Sequence, residues 1–286
     1  GLVVEPYLQT VIMVGTAISE AGSPEQKSEI IPSIIDGSLI ATFAYAEESA
    51  HHDLNHITTS ATRDGDSFLI NGTKSVVPNA QSAEKILVTT RTSGEISEEG
   101  GITLFLMDAN QEGISREDYP TVDGLRASEI TFTDTRVPAS SIIGEIDKGA
   151  AIIEKIARKV ILALSAESVG AMEVLYKDTI EYTKQRVQFD HPLSDFQVLK
   201  HRMTEMFMEY SLAKSLCMKA AMLETQDSFD ASRTVHALKY LVGKNGRFVS
   251  QNAVQLHGGM GMTEDLRIAH YFKRLMIIDS QFGNTD

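Results

Sequence analysis

The residues best suited to chemistry in this chain fall in two stretches. Arg186-Val187-Gln188-Phe189 follows a predicted helix and precedes His191-Pro192-Leu193. A guanidinium at that place can satisfy the last helix carbonyls, or can hold a phosphate with its planar fork of donors; the sequence leaves both open. Gln197 and Gln255 are ordinary polar helix residues or hydrogen-bonding groups for a cofactor. Gly258-Gly259 follows a helical pattern that should end at Leu256 or His257. Such a pair serves as a helix stop, and it also lets backbone come close to a ligand without the steric cost of a Cβ. His51, His52 and His56 suggest a metal cluster at first sight. Adjacent histidines do not readily converge on one ion, and no acidic or thiol partner stands at a ligand spacing, so no metal is expected. Phosphate-loop and dinucleotide glycine fingerprints are absent, as is a Gly-x-Ser-x-Gly elbow.

Composition narrows the classes further. The 286 residues carry a net charge of −13, which disfavours nucleic acid or an acidic membrane as partner. The single cysteine, Cys217, excludes an internal disulfide and fits a reducing cytoplasm. It stands on an apolar helical seam, where a buried thiol is expected rather than a nucleophile. No apolar run has the length of a membrane span. The opening, Gly1-Leu2-Val3-Val4, reads as the interior of an apolar helix, so the natural chain is expected to extend beyond it.

The elements that must position these residues change period twice. Residues 1–40 read as helical. Ser23-Pro24-Glu25-Gln26 is a helix start with a capping box, Pro32 should kink or break that helix, and Gly37 should end it. Residues 41–145 read as short strands separated by glycine turns, an antiparallel sandwich or barrel. Asn71-Gly72 there is a hairpin signal, and residues 95–99 are a charged surface loop. Residues 146–286 carry long helical stripes: Ile153, Ile156, Val160 and Leu164; Phe196, Leu199, Met203, Met206, Tyr210, Ala213, Cys217 and Ala220; and Val235, Leu238, Val242, Val249 and Leu256. Their steps of three and four suit a four-helix bundle.

Taken together, these residues resemble the acyl-CoA dehydrogenase family over the whole chain. The resemblance rests on five segments in order. They are Ala41-Thr-Phe-Ala-Tyr-Ala-Glu-Glu48, Asp64-Gly-Asp-Ser-Phe-Leu-Ile-Asn-Gly-Thr-Lys74, and Asp123-Gly-Leu-Arg-Ala-Ser-Glu129 with Arg136-Val-Pro138. Arg186-Val-Gln-Phe189 with Gln197, and Gln255-Leu-His-Gly-Gly-Met-Gly261, complete the set. It implies an α+β chain with an N-terminal helical segment, a middle β-barrel and a C-terminal four-helix bundle, most of the first domain being missing. It also implies FAD as cofactor, an acyl-CoA substrate, and an electron-transfer flavoprotein as acceptor. By position, Arg186, Gln188, Phe189 and Gln197 would touch FAD. Gln255, Gly258 and Gly259 would meet the FAD of a neighbouring subunit, Asn284 would be a further cofactor contact, and Tyr45, Ala46, Glu47, Val77 and Pro78 would lie by the isoalloxazine.

Two departures bear on catalysis. The family's base is a Glu in a Tyr-Glu-Gly-Thr stretch, where this chain reads Gln281-Phe282-Gly283-Asn284, and Phe282 cannot take a proton. The alternative base position, early in the bundle, matches Val160, with Ile161 where an Arg would follow. The catalytic residue is therefore left unassigned, with Glu47, Glu48 and Asp286 as substitutes to be tested. Tyr119-Pro-Thr-Val-Asp-Gly-Leu-Arg126 and Tyr271-Phe-Lys-Arg274 resemble the small subunit of pimeloyl-CoA-dehydrogenase-type enzymes. That subset implies an α2β2 assembly with a related subunit, a homo-oligomer being the other expectation. A non-catalytic structural or binding homologue is the competing expectation.

Overall fold

The computed structural model describes residues 2–226 and 228–285, which fall into two compact units. One runs from Val4 to Val160 and holds the helical lead-in together with the β-region. The other begins at Ile161 and takes in Leu2 and Val3.

The first unit opens with a π-helical stretch, Leu8–Val14, continued by α1 (Gly15–Ala21) and then α2 (Pro24–Ile35). Ser23 caps α2 as expected: its hydroxyl accepts from the Gln26 backbone, and the Gln26 side chain accepts from the Ser23 N–H at 2.8 Å. The Gln26 amide also donates to the carbonyls of Ser140 and Ile142, so one residue caps the helix and ties it to the end of the β-region. Pro32 does not break α2. It stands near the helix end, where the missing N–H removes one ladder bond and the chain continues for one turn to Ile35. Gly37, at φ 77°, follows the end.

Eight strands form one sheet: β1 (Ala41–Ala44), β2 (Ser60–Asp64), β3 (Ser67–Pro78), β4 (Lys85–Arg91), β5 (Ile102–Asp108), β6 (Ile114–Pro120), β7 (Arg126–Pro138) and β8 (Ile142–Ile143). Hydrogen bonding runs along the path β6-β7-β3-β2-β4-β5-β8, with β1 beside β4. The sheet is mixed rather than purely antiparallel, because β1 lies parallel to β4 with Ala41 opposite Lys85. A parallel pair needs a long connection, and residues 45–84 supply it. Phe68, Ile70, Ile86, Val88, Phe105, Ile130 and Phe132 fill the core beneath.

Asn71-Gly72 is not a hairpin turn. The β2–β3 turn falls at Gly65 instead, and Asn71-Gly72 lies inside β3 where its register against β7 slips. The Asn71 amide brackets Asp134 across the gap, donating to its carboxylate at 2.9 Å and accepting from its N–H at 2.8 Å. Gly72 is required there: its φ is 143°, and a Cβ would stand 2.6 Å from the Thr59 Cα. A residue pair that favours positive φ serves a bulge as readily as a turn.

The second unit is helical. It holds the part of α3 (Gly149–Gln185) from Ile161 onward, α4 (Gln197–Thr225), α5 (Ala231–His257) and α6 (Arg267–Ser280). The stripes read from sequence meet here: Met203, Met206, Tyr210, Ala213, Val235, Leu238, Val242 and Val249 are all buried in one core. Cys217 is only partly buried beside it. Bidentate ion pairs, Glu167 with Arg274 and Asp178 with Arg267, fasten α6 to α3. Among the described residues no helix is long and apolar enough to cross a membrane.

Candidate functional site

The helical unit contains a cleft of about 1100 Å³ between the C-terminal end of α3, the start of α4 and the C-terminal end of α5. α3 stops at Gln185, and Arg186 follows it. A short hairpin, β9 (Val187–Gln188) and β10 (His191–Pro192), then turns the chain back. The two turn residues, Phe189 and Asp190, both have positive φ (55° and 66°), as a two-residue hairpin demands. Arg186 lines the cleft, and its guanidinium has no partner among the described residues. Of the two sequence readings of this arginine, spent on helix carbonyls or open to a ligand, the geometry supports the second.

Gln188, Gln255, Gly258 and Gly259 line the same cleft, so residues expected at one FAD and at a neighbouring subunit's FAD share a single site. α5 ends at His257 as expected, and Gly258 takes φ 62° beyond it. A Cβ on Gly258 or Gly259 would meet no atom within 4 Å, so side chains there would project into open space. Three further polar residues join the cleft that spacing had not singled out. Tyr182 stands one helical turn before Arg186, and Arg202 one turn after Val198. Arg202 has a single long contact, 3.4 Å to the Asn252 side-chain oxygen. His257 completes the set, its ring stacked on Tyr182 with centroids 4.3 Å apart.

Two cations without carboxylate partners, beside amides and a glycine turn, can hold a phosphate-bearing anion and hydrogen-bond the groups that flank it. The cleft thus carries the donors a phosphate-bearing ligand calls for. Three expected contacts do not line it. Phe189 projects to solvent at 84% exposure and meets Phe196 edge-on, while Gln197 and Asn284 are exposed.

In the β-unit the five expected flavin neighbours divide. Tyr45 is partly buried against Phe43, at 5.3 Å, and burial holds its hydroxyl pKa well above the ordinary value. The Ala46 carbonyl accepts from the Ser75 N–H, and that of Pro78 from the Thr42 hydroxyl. Val77 is 1% exposed and packs into the core, so its side chain is unavailable. The family resemblance had placed it by the isoalloxazine. The slip between Lys74 and Val77, with Val76 at φ 50°, turns Val76 outward instead.

The Glu47 side chain is also spent. Its carboxylate accepts from Lys74 at 2.7 Å, from the Thr58 N–H at 2.8 Å, from the Thr59 N–H at 3.0 Å and from the Thr58 hydroxyl. Burial alone would raise its pKa, but the Lys74 ammonium and these hydrogen bonds hold it down at about 2. A carboxylate so held is a poor proton acceptor. Lys74 is itself fully buried, bonded also to Thr89, and burial pushes it down to about 8 despite Glu47. Glu48 is exposed, and Asp286 lies outside the described residues. The His56 ring bridges the hydroxyls of Ser49 and Ser97, and among the described residues no group of three His, Cys, Asp or Glu is placed to hold a metal.

Comparison with known proteins gives this arrangement its context. Residues 147–286 match the family description "Acyl-CoA dehydrogenase, C-terminal domain", and residues 42–135 match "Acyl-CoA dehydrogenase, middle domain". The chain belongs to the acyl-CoA dehydrogenase family. A 3-(aryl)acrylate reductase of Clostridium sporogenes is 27% identical over 277 residues, which cover 96% of this chain and 73% of that one. The solved butyryl-CoA dehydrogenase of Megasphaera elsdenii is similar with a TM-score of 0.90 at 26% identity, covering 97% and 73%. A chain solved in work on the electron transferring flavoprotein of Acidaminococcus fermentans gives 0.91, 26%, 97% and 73%. The fold, with helices ahead of a β-domain and a helical domain at the C-terminus, is that of the family.

Proposed function

We propose that this chain is one subunit of a two-subunit, FAD-dependent acyl-CoA dehydrogenase of α2β2 type, and that its base comes from elsewhere. The observation that carries the reading is a cleft lined by two arginines, combined with apolar side chains at both expected base positions. Val160 is fully buried, and Phe282 packs against the bundle core. Neither can take a proton, and the Glu47 carboxylate is committed to Lys74.

FAD is the family's cofactor, and when bound it takes up the hydride that leaves the β-carbon of the acyl chain. The part of this chain is binding and orientation. Arg186 and Arg202 neutralise the diphosphate, Gln188 and Gln255 offer amides to the sugar and phosphate oxygens, and Gly258-Gly259 lets the cofactor lie against backbone. Loss of the weakly acidic α-proton needs a desolvated carboxylate with a raised pKa, and a related partner subunit would bring it. The resemblance of Tyr119–Arg126 and Tyr271–Arg274 to a small subunit supports that division of labour. An electron-transfer flavoprotein is the proposed electron acceptor, in keeping with the similar chain from the Acidaminococcus work.

The test is anaerobic bleaching of the flavin by a panel of acyl-CoA thioesters, with and without a co-expressed partner. Bleaching only with the partner is expected. Full turnover by an oligomer of this chain alone would refute the heteromeric reading. A sample that stays colourless with the partner present would favour a non-catalytic homologue, which the missing base also allows.

A further inference from the structure

The buried acceptor in the cleft is His257. It is 5% exposed, closes α5, and lines the cavity beside Arg186 and Gln255. Its Nδ1 lies 2.8 Å from the Ala253 carbonyl. A carbonyl only accepts, so Nδ1 carries the hydrogen and the neutral ring presents a bare lone pair at Nε2. That nitrogen has no partner among the described residues. The Tyr182 ring stacks on the imidazole at 26° between planes, and its hydroxyl donates to the His257 carbonyl at 3.3 Å, so ring and backbone are both held.

We propose that His257 Nε2 binds the nucleotide by accepting a hydrogen bond from a hydroxyl or an exocyclic amine next to the phosphates that the arginines hold. An acceptor repels phosphate oxygen, so it sorts the ligand: charge goes to Arg186 and Arg202, a neutral donor to His257. Burial lowers the pKa of the imidazole and keeps this acceptor form in place at neutral pH. The inference rests on reading the cleft as the FAD site.

The experiment measures FAD dissociation constants by flavin fluorescence, on the full chain with any partner subunit, for wild type, His257→Phe and His257→Gln. Phe keeps the stack on Tyr182 and removes the lone pair; Gln restores an acceptor. Thermal melts and circular dichroism confirm folding. Weakening by about tenfold in His257→Phe, with partial recovery in His257→Gln, is expected for one lost buried hydrogen bond. Repeating the series with flavin hypoxanthine dinucleotide separates the donors. If the effect of His257→Phe vanishes, the adenine amine is the donor; if it persists, a sugar hydroxyl is. Equal affinity of His257→Phe and wild type for FAD overturns the inference and leaves the cofactor reading intact. A folded wild type that binds no FAD overturns both.

Discussion

A lysine and a glutamate buried together set the chemistry of the β-unit at the scale of single residues. Each is tolerated only because the other is there. Removing the cation in Lys74→Met leaves Glu47 buried without its counter-charge, and a loss of about 3–5 kcal/mol is expected in denaturant unfolding. The same pair predicts an acid limit. Glu47 is held at about 2, below its ordinary range near 4.5, so its contribution is fully present above that range. It is lost as pH falls toward 2, and Lys74→Met should flatten this limb of the stability profile. In the cleft, Arg202→Gln should weaken FAD binding by about tenfold and reduce its salt dependence, read by equilibrium dialysis at two ionic strengths. Arg186, Gln188, Gln255, Gly258 and Gly259 were legible because family-like spacing in the chain marks them directly. Tyr182, Arg202 and His257 were not, because their convergence depends on how α3, α4 and α5 pack, which intervals along one helix do not specify.

Helices and strands differ in how much of their placement the chain announces. The seams of α4 and α5 could be read residue by residue, since one periodicity fixes the buried face. Asn71-Gly72 misled because strand register is decided by a partner sixty residues away, here Asp134 on β7. α5 also carries a contact that no periodicity shows. Lys239 is buried and donates to the carbonyls of Ile278 and Asp279, both at 2.9 Å, at the C-terminal end of α6. Arg247 meets the Asp279 carboxylate at 2.6 Å. Gly243 sits beneath: a Cβ would stand 2.1 Å from the Asp279 carboxylate and 2.6 Å from the Thr285 methyl. Gly243→Ala should therefore cost about 1–3 kcal/mol by overpacking. Hydrogen exchange should rise selectively at residues 278–285, ahead of the rest of the bundle.

For the molecule as a whole, the net charge of −13 makes the two cleft arginines, neither facing a carboxylate, a local exception. A dianionic cofactor meets general repulsion and short-range attraction, and salt screens both. The same acidity gathers in residues 94–101, where Glu95, Glu98 and Glu99 stand among three glycines. Arg91 reaches under that loop and donates to the carbonyls of Asn55, Ile96, Glu98 and Gly100. A segment with the composition of a cleavage site is thereby pinned at three points by one side chain, which a fourth bond anchors to Asn55, and exposed loop tips are cut where the backbone is free to move. A glutamate-specific protease should accordingly spare the loop in the native protein and cut it early in Arg91→Ala, with two fragments of unequal size on a gel as the signature.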